Sequence, residues 1–98
     1  MHAMAIDGEL TIYTASKRKP ELLAFLESDS ELELNLAGVE EIDTSGLQLL
    51  ILIKREAAQN GKTLNFVMHS NAVLETLELT KLMASFGDQV MLPHSKEE

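Results

Sequence analysis

Two adjacent hydroxyl side chains, Thr44 and Ser45, stand in the run Asp43-Thr44-Ser45-Gly46. A serine or threonine hydroxyl can act as a nucleophile, accept a phosphate or cap a helix. An alternating, strand-like segment precedes the run and a strongly apolar helical segment follows it, which predicts a strand-to-helix junction. Ser45 followed three residues later by Gln48 fits the capping box, so we expect Ser45 to cap the helix. Thr44 and Asp43 are alternative turn or cap formers.

Enzymatic uses of these hydroxyls are disfavoured by the surrounding residues. Gly46 comes one residue late for the Asp-Thr/Ser-Gly signature of aspartic proteases, which also requires a second such motif or a paired chain. Ser45 lacks the Gly-x-Ser-x-Gly elbow of serine hydrolases. His2, His69 and His94 are too scattered for a metal site, and no glycine-rich phosphate loop is present. We therefore expect a non-enzymatic protein without metal or cofactor.

A binding switch is a different use of the same corner. A phosphate at a helix N-terminus meets unpaired amides and the positive end of the helix dipole, so the fold would tolerate a phosphoserine. The phosphate would add nearly two negative charges beside Glu40, Glu41 and Asp43, and a docked partner would lose its fit. The alternative is that Ser45 only caps the helix.

The helix after Gly46 has an apolar side and a polar side when its residues are projected at about 100° each. Leu49, Leu50 and Ile53 share the apolar side, whereas Leu52 falls among the polar residues. Leu52 is therefore either a partner contact or a singly exposed leucine. The residues predicted to bind a partner are Asp43, Thr44, Ser45, Gly46, Gln48 and Leu52.

Composition indicates one small domain. The chain has 98 residues, of which 45% are hydrophobic and 24% charged, and it has no cysteine. This predicts a single domain over residues 1–98 with frayed ends at about 1–6 and 94–98, and it fits a reducing cytoplasm. The net charge of −8 disfavours direct binding to nucleic acid or to anionic lipid. The longest apolar run, Leu49 to Ile53, is far below the ~20 residues of a membrane span, and no secretory signal is expected at the N-terminus.

Hydrophobic periodicity predicts three strands and three helices in alternation. Three segments alternate with period two, and their inward residues are Leu10 and Ile12; Leu32, Leu34 and Leu36; Leu64, Phe66 and Met68. Helical spacing follows each strand, in runs that start with Pro20 in a first turn, at Leu47 and at Val73. The third run extends to Leu82.

Local signals mark the ends of these elements. Asn60-Gly61 ends the second helix, and Ser70 or Asn71 caps the third. Val90 to Leu92 predicts a short last strand. Strand-helix alternation favours parallel pairing through right-handed crossovers, but these strands have only one apolar face. We therefore predict a two-layer α/β superhelix, with a mostly parallel four-stranded sheet and helices mainly on one face.

The segment Glu40 to Leu50, E-E-I-D-T-S-G-L-Q-L-L, resembles the STAS domain of bacterial anti-sigma factor antagonists. Supporting matches lie over most of the chain, at Gly8-Glu9-Leu10, Gly61-Lys62 and Leu77-Glu78-Leu79. The resemblance implies a cytoplasmic adaptor that binds an anti-sigma factor, often a serine kinase of the histidine-kinase-like ATPase fold. It further implies phosphorylation at Ser45, or at Thr44 as second choice, and a phosphatase that removes the phosphate.

Some members of the family that the chain resembles have other roles. Some stand-alone STAS proteins resemble a constitutive subunit that binds the ATPase of an ABC lipid transporter. Others are adaptors in chemotaxis or two-component signalling clusters, and the motif does not separate these roles. The segment before Gly8 is shorter than the usual opening of the family. We therefore expect the first family strand to be truncated or absent.

Overall fold

The protein is described by a computed structural model that covers residues 1–80. The predicted strand Val90 to Leu92, the end of the third helical run at Leu82 and the tail 94–98 lie outside these residues. The elements are β1 (His2–Ala5), β2 (Gly8–Leu10), α1 (Ala15–Leu26), β3 (Glu31–Asn35), β4 (Val39–Ile42), α2 (Thr44–Gln59), β5 (Thr63–Val67) and α3 (Asn71–Thr80).

The strands form two small parallel sheets within the described residues, in place of the predicted four-stranded sheet. One sheet has the order β1-β3-β5, and the other pairs β2 with β4. Between the two sheets, the Ile6 amide donates to the Asn35 carbonyl oxygen at 3.1 Å and the Gly8 amide donates to the Gly38 carbonyl oxygen at 2.8 Å. Gly8 has a φ of 85°, outside the range of extended backbone, so the chain bends here and the ladder divides.

The N-terminal segment is ordered, so the prediction of a frayed end at residues 1–6 is wrong. β1 pairs in parallel with β3, in a register that places Met4 opposite Leu34, and Ile6 is completely buried. The ladder satisfies the backbone groups of β1 and Ile6 fills part of the core, which together outweigh the entropy of ordering the segment. Sequence alternation missed the strand because Met4 is its only partly buried residue.

One face of the three-stranded sheet carries the core. Leu32, Leu34, Leu64 and Phe66 are buried, whereas alternate residues such as Asn65 are exposed. α2 contacts β5 and both other helices, and α3 also contacts β4. The predicted α/β architecture with helices on one face of a parallel sheet is confirmed.

Two residues predicted to point inward are exposed instead. Ile12 and Met68 each have 64% of their surface exposed, because β2 ends at Leu10 and β5 ends at Val67. Met68 takes a φ of 58°, a left-handed conformation that ends the strand. Each strand is therefore shorter at its carboxyl end than the period-two pattern predicts.

Two of the three predicted helix ends agree with the structure: the start of α3 and the end of α2, but not the start of α1. The Ser70 hydroxyl accepts from the Val73 amide at 3.2 Å, so Ser70 is the cap of α3. Gly61 follows α2 with a φ of 72°, as predicted for a residue at that end. α1 begins at Ala15 rather than at Pro20, because backbone bonds at Thr14 start the helix earlier and the exposed Pro20 is accommodated inside it.

No helix within residues 1–80 combines the length and the apolar character that crossing a bilayer requires.

Leu50 gives a direct test of this core. Its side chain is completely buried on α2, so Leu50→Ala removes packed methyl groups and is expected to lower the free energy of unfolding by about 2–5 kcal/mol. The matched control is Leu79→Ala, because Leu79 is 83% exposed and its truncation is expected to change stability by less than about 0.5 kcal/mol. Urea unfolding followed by circular dichroism measures both. Equal losses for the two variants would contradict the assigned core.

Candidate functional site

The candidate site lies where β2 and β4 end together. Leu10 and Ile42 are paired partners in this parallel sheet. The chain leaves β2 into a turn at residues 11–14 and leaves β4 through Asp43 into α2. Crevices at the carboxyl ends of parallel strands are the usual ligand positions in α/β sheets. We call residues 43–46 the Asp43 corner.

The Asp43 carboxylate joins the two segments. Its Oδ1 atom accepts a hydrogen bond from the Gly46 amide at 3.0 Å, and its Oδ2 atom accepts one from the Ile12 amide at 3.0 Å. The first bond caps α2, and the second holds the turn after β2 against the start of that helix. Asp43 therefore has a tertiary role in addition to its local one.

The prediction that Ser45 caps α2 is wrong. Asp43 has the extended backbone of an N-cap residue, with φ −122° and ψ −174°, and Thr44 is the first helical residue. Ser45 is therefore the second residue of the helix, and the residue at the third position is glycine. The capping box between Ser45 and Gln48 does not form, because Asp43 already accepts the amide of the first turn.

The pKa of the Asp43 carboxyl lies below its ordinary value. Partial burial favours the neutral form, but hydrogen bonds from the Ile12, Gly46 and Ser45 amides favour the carboxylate, and together they outweigh burial. Asp43 is therefore negatively charged at neutral pH. Its charge is stabilised by backbone groups and lies at the positive end of the α2 dipole.

Gly46 brings α2 close to β2. A β-carbon added at Gly46 would overlap the Leu10 carbonyl oxygen, a backbone atom that cannot turn aside. The same carbonyl accepts a hydrogen bond from the Asp43 amide at 3.4 Å. Because Gly46 is buried, its role in a docking surface is to place the first turn of α2 rather than to touch a partner.

The two hydroxyls are accessible to different degrees. Thr44 is exposed and Ser45 is half-buried, and neither side-chain hydroxyl makes a hydrogen bond to another group in the described part of the chain. Neither hydroxyl is therefore committed to a hydrogen bond within residues 1–80. Their position on the first turn of α2 agrees with the predicted strand-to-helix junction.

Of the two remaining residues predicted to contact a partner, one is exposed and one is half-buried. Gln48 is exposed one turn after Thr44, as predicted. Leu52 is half-buried and packs against the hydrophobic core, so the helical projection overstated its exposure. The projection assumes that only one side of a helix is covered, whereas α2 contacts both α1 and α3. The role of Leu52 as a partner contact stays a prediction.

The surface beside the corner is acidic on the β4 side. Glu40 and Glu41 are exposed, and Glu41 lies opposite Glu9 in the β2–β4 register. Exposed carboxylates therefore lie on the strand that leads into the corner, and their effect on a partner stays a prediction. A phosphate on Thr44 or Ser45 would add to a surface that already carries several negative charges.

The sequence analysis missed the turn at residues 11–14, which it assigned to a strand. The Thr14 hydroxyl accepts a hydrogen bond from the Thr11 amide at 2.9 Å, and the Thr11 hydroxyl donates to the Glu9 carboxylate at 2.9 Å. Threonines three residues apart are a recognised turn signal, because their hydroxyls bond to nearby backbone groups. The hydrogen bonds of this turn outweigh the strand preference that the alternation of Leu10 and Ile12 indicates.

Substitutions at the two proposed caps test which residue caps α2. Asp43→Ala is expected to lower the free energy of unfolding by about 1–2 kcal/mol, whereas Ser45→Ala is expected to lower it by less than about 0.5 kcal/mol. Asp43→Asn gives the pH dependence. The folded-state pKa of Asp43 is below the unfolded value of 3.8, so its stabilisation is complete above that value and is lost as pH falls through the folded pKa.

The stability difference between wild type and Asp43→Asn is therefore expected to shrink as pH is lowered below about 4. Urea midpoints measured between pH 7 and pH 2 give this difference directly. A larger loss for Ser45→Ala than for Asp43→Ala would contradict the assignment of the cap.

Gly46→Ala tests the close approach of α2 to β2. The added methyl group meets the Leu10 carbonyl, so the helix must shift, and we expect a loss of about 1–3 kcal/mol. Alanine favours a helix more than glycine does, so helix propensity alone predicts a gain in stability. The sign of the change in the free energy of unfolding, measured with urea, therefore distinguishes the steric effect from helix propensity. Ala58→Gly, at an exposed position of α2, is the control for propensity and is expected to cost about 1 kcal/mol.

Comparison with known proteins agrees with this fold. A solved structure titled "Crystal Structure Analysis of Mglu" is similar to the chain with a TM-score of 0.58 and 22% identity, over 65% of this chain and 16% of that one. At this identity the likeness shows the fold alone, and the chain spans less than a fifth of that protein's length. A family model described as "Mlab, STAS domain" matches residues 2–92. The chain therefore belongs to this STAS domain family.

Proposed function

We propose that the chain is a non-enzymatic, cytoplasmic regulator that acts like an anti-sigma factor antagonist and changes partners when Ser45 is phosphorylated. The observation that carries the proposal is the pair of available hydroxyls on the first turn of α2, beside an acidic surface. The family membership supplies a protein-binding context. The specific role in sigma control comes from the resemblance of residues 40–50 to the antagonists.

The electrostatics of the corner support a switch. A phosphate on Ser45 would lie at the N-terminus of α2, where an anion is stabilised by about 0.3–1 kcal/mol, so the fold can carry it. The same phosphate would stand beside the Asp43 carboxylate, at the end of a strand that carries the exposed Glu40 and Glu41. The added charge would change the docking surface without unfolding the domain, because the cap is made by Asp43 and not by the modified residue.

Two observations differ over which hydroxyl is modified. The resemblance favours Ser45, which matches the modified serine of the antagonists. Exposure favours Thr44, since Thr44 is exposed and Ser45 is half-buried. We retain Ser45 as the proposed acceptor and Thr44 as the alternative, because the half-buried Ser45 hydroxyl forms no hydrogen bond within residues 1–80 that a kinase would have to break.

The proposed partner is an anti-sigma factor that is also a serine kinase of the histidine-kinase-like ATPase fold. The unmodified corner would bind this kinase, and modification would end the binding. A phosphatase specific for the phosphoserine would restore it. Direct nucleic-acid binding and membrane insertion have no part in this proposal, in agreement with the net charge of −8.

One observation favours a second candidate function. The Asp43 carboxylate already accepts the Gly46 amide, so a phosphate on the neighbouring serine would meet a fixed negative charge in place of a free amide. This arrangement suits a corner whose hydroxyls are used unmodified. A constitutive subunit bound to the ATPase of an ABC lipid transporter would use the hydroxyls unmodified. An adaptor in a chemotaxis or two-component cluster could do the same.

Phosphorylation in vitro tests the leading proposal. The purified chain is incubated with ATP and each purified serine kinase of the histidine-kinase-like fold encoded in the same genome, and the phosphate is located by mass spectrometry. We expect one phosphate, on Ser45. Ser45→Ala is expected to bind the same kinase without release by ATP, and Ser45→Asp is expected to bind at least about tenfold more weakly.

Ser16→Ala is the matched control, because Ser16 is an exposed serine on the first turn of α1 and carries no proposed role. Phosphate on Thr44 alone would move the switch to the neighbouring residue. No modification by any kinase that is active on another substrate would overturn the proposal. Co-purification with a membrane transporter and its ATPase, unchanged by ATP treatment, would support the second candidate.

A further inference from the structure

Ile12 and Tyr13 are large apolar side chains that the fold leaves in solvent. Ile12 is 64% exposed and Tyr13 is 87% exposed. Only five large hydrophobic residues are exposed within residues 1–80, and these are the only two that are adjacent in the sequence. A single exposed apolar residue is common and needs no explanation. Two adjacent ones form an apolar patch that lowers solubility without contributing to the packed core.

The turn that carries these residues is held by several hydrogen bonds. The Thr14 hydroxyl accepts from the Thr11 amide and donates to the Glu9 carbonyl oxygen at 3.1 Å. The Tyr13 amide donates to the Thr11 hydroxyl at 3.3 Å. Ile12 and Tyr13 are therefore held outward by hydrogen bonds on both sides. A pre-organised apolar tip loses little conformational entropy on binding, which is the property expected of an interface anchor.

The same turn is bonded to the Asp43 corner. The Ile12 amide donates to Asp43 Oδ2 at 3.0 Å, while Oδ1 of the same carboxylate caps α2. One side chain therefore fixes the position of the apolar tip relative to Thr44 and Ser45. A partner that docks on the corner meets the tip as part of the same surface.

We propose that Ile12 and Tyr13 form an apolar anchor that inserts into a pocket of the protein partner bound at the Asp43 corner. The inference rests on the proposed function and adds to it the residues that supply most of the affinity. Tyrosine is enriched among such residues, because it buries a large rigid area and keeps a polar end at the rim. The corner then supplies the switch and the anchor supplies the binding energy.

The charges around the anchor indicate a protein surface as the occupant. Exposed Glu40 and Glu41 lie on the β4 side, and exposed Lys17 and Lys19 lie on α1, which begins two residues after Tyr13. Charges of both signs therefore lie on the elements that flank the anchor, so the complementary partner has an apolar pocket with a polar rim that carries both acidic and basic groups. An anionic membrane would attract the lysines but repel the glutamates, and the whole chain carries a charge of −8.

The experiment uses the full chain and the purified serine kinase that phosphorylates it. Ile12→Ser, Tyr13→Ser and the double variant are compared with Leu79→Ser, a matched control at an 83% exposed leucine on α3. Isothermal titration calorimetry without ATP measures the Kd. We expect each single variant to weaken binding about tenfold and the control to leave it within about twofold. Circular dichroism checks that all variants are folded.

A second measurement requires no substitution. Tyr13 is the only tyrosine of the chain, so acetylation of its hydroxyl by N-acetylimidazole, read by mass spectrometry, reports on this one position. We expect the bound kinase to protect Tyr13, and vesicles of phosphatidylglycerol to leave it reactive.

The outcomes separate the anchor from the switch. Unchanged kinase binding by the folded double variant, with Ser45 still phosphorylated in the wild type, would overturn the anchor alone. A wild-type chain that no kinase binds or modifies would overturn both proposals. Protection of Tyr13 by the vesicles but not by the kinase would also overturn the anchor, and would assign the tip to a membrane surface.

Discussion

The two hydrogen bonds of the Asp43 carboxylate connect the start of α2 with the turn after β2. One oxygen accepts an amide of α2 and the other accepts the Ile12 amide from a distant part of the sequence. The start of a helix and the turn after a neighbouring strand therefore keep a fixed relation. Since both bonds are made to an ionised group, they are stronger than bonds between neutral partners.

This bridge separates the structural cap from the residues available for binding. A serine that capped the helix would lose its bond when modified, and the first turn would be weakened at the moment of signalling. In the observed arrangement the hydroxyls of Thr44 and Ser45 form no hydrogen bonds within the described residues, so replacing either hydroxyl would remove no such bond from the fold. The cap and the two hydroxyls without a bonding role are therefore on neighbouring but different side chains.

Close packing at Gly46 gives the corner its rigidity. The absence of a side chain lets α2 start directly against the Leu10 carbonyl, where a β-carbon would overlap that oxygen. The turn after β2 is fixed in turn by the hydroxyls of Thr11 and Thr14. A surface with little conformational freedom loses little entropy when a partner binds.

Hydrophobic periodicity and local turn chemistry are enough to predict the α/β architecture, the single buried face of the main sheet and the junction at residues 43–46. They do not predict that Asp43 and not Ser45 is the cap, that His2–Ala5 is a strand or that Ile12 is exposed. Each of these depends on a contact between residues far apart in the chain: Asp43 with Ile12, and β1 with β3. Local patterns rank the possible partners of a group, but the competition between them is settled only where the folded chain brings the partners together.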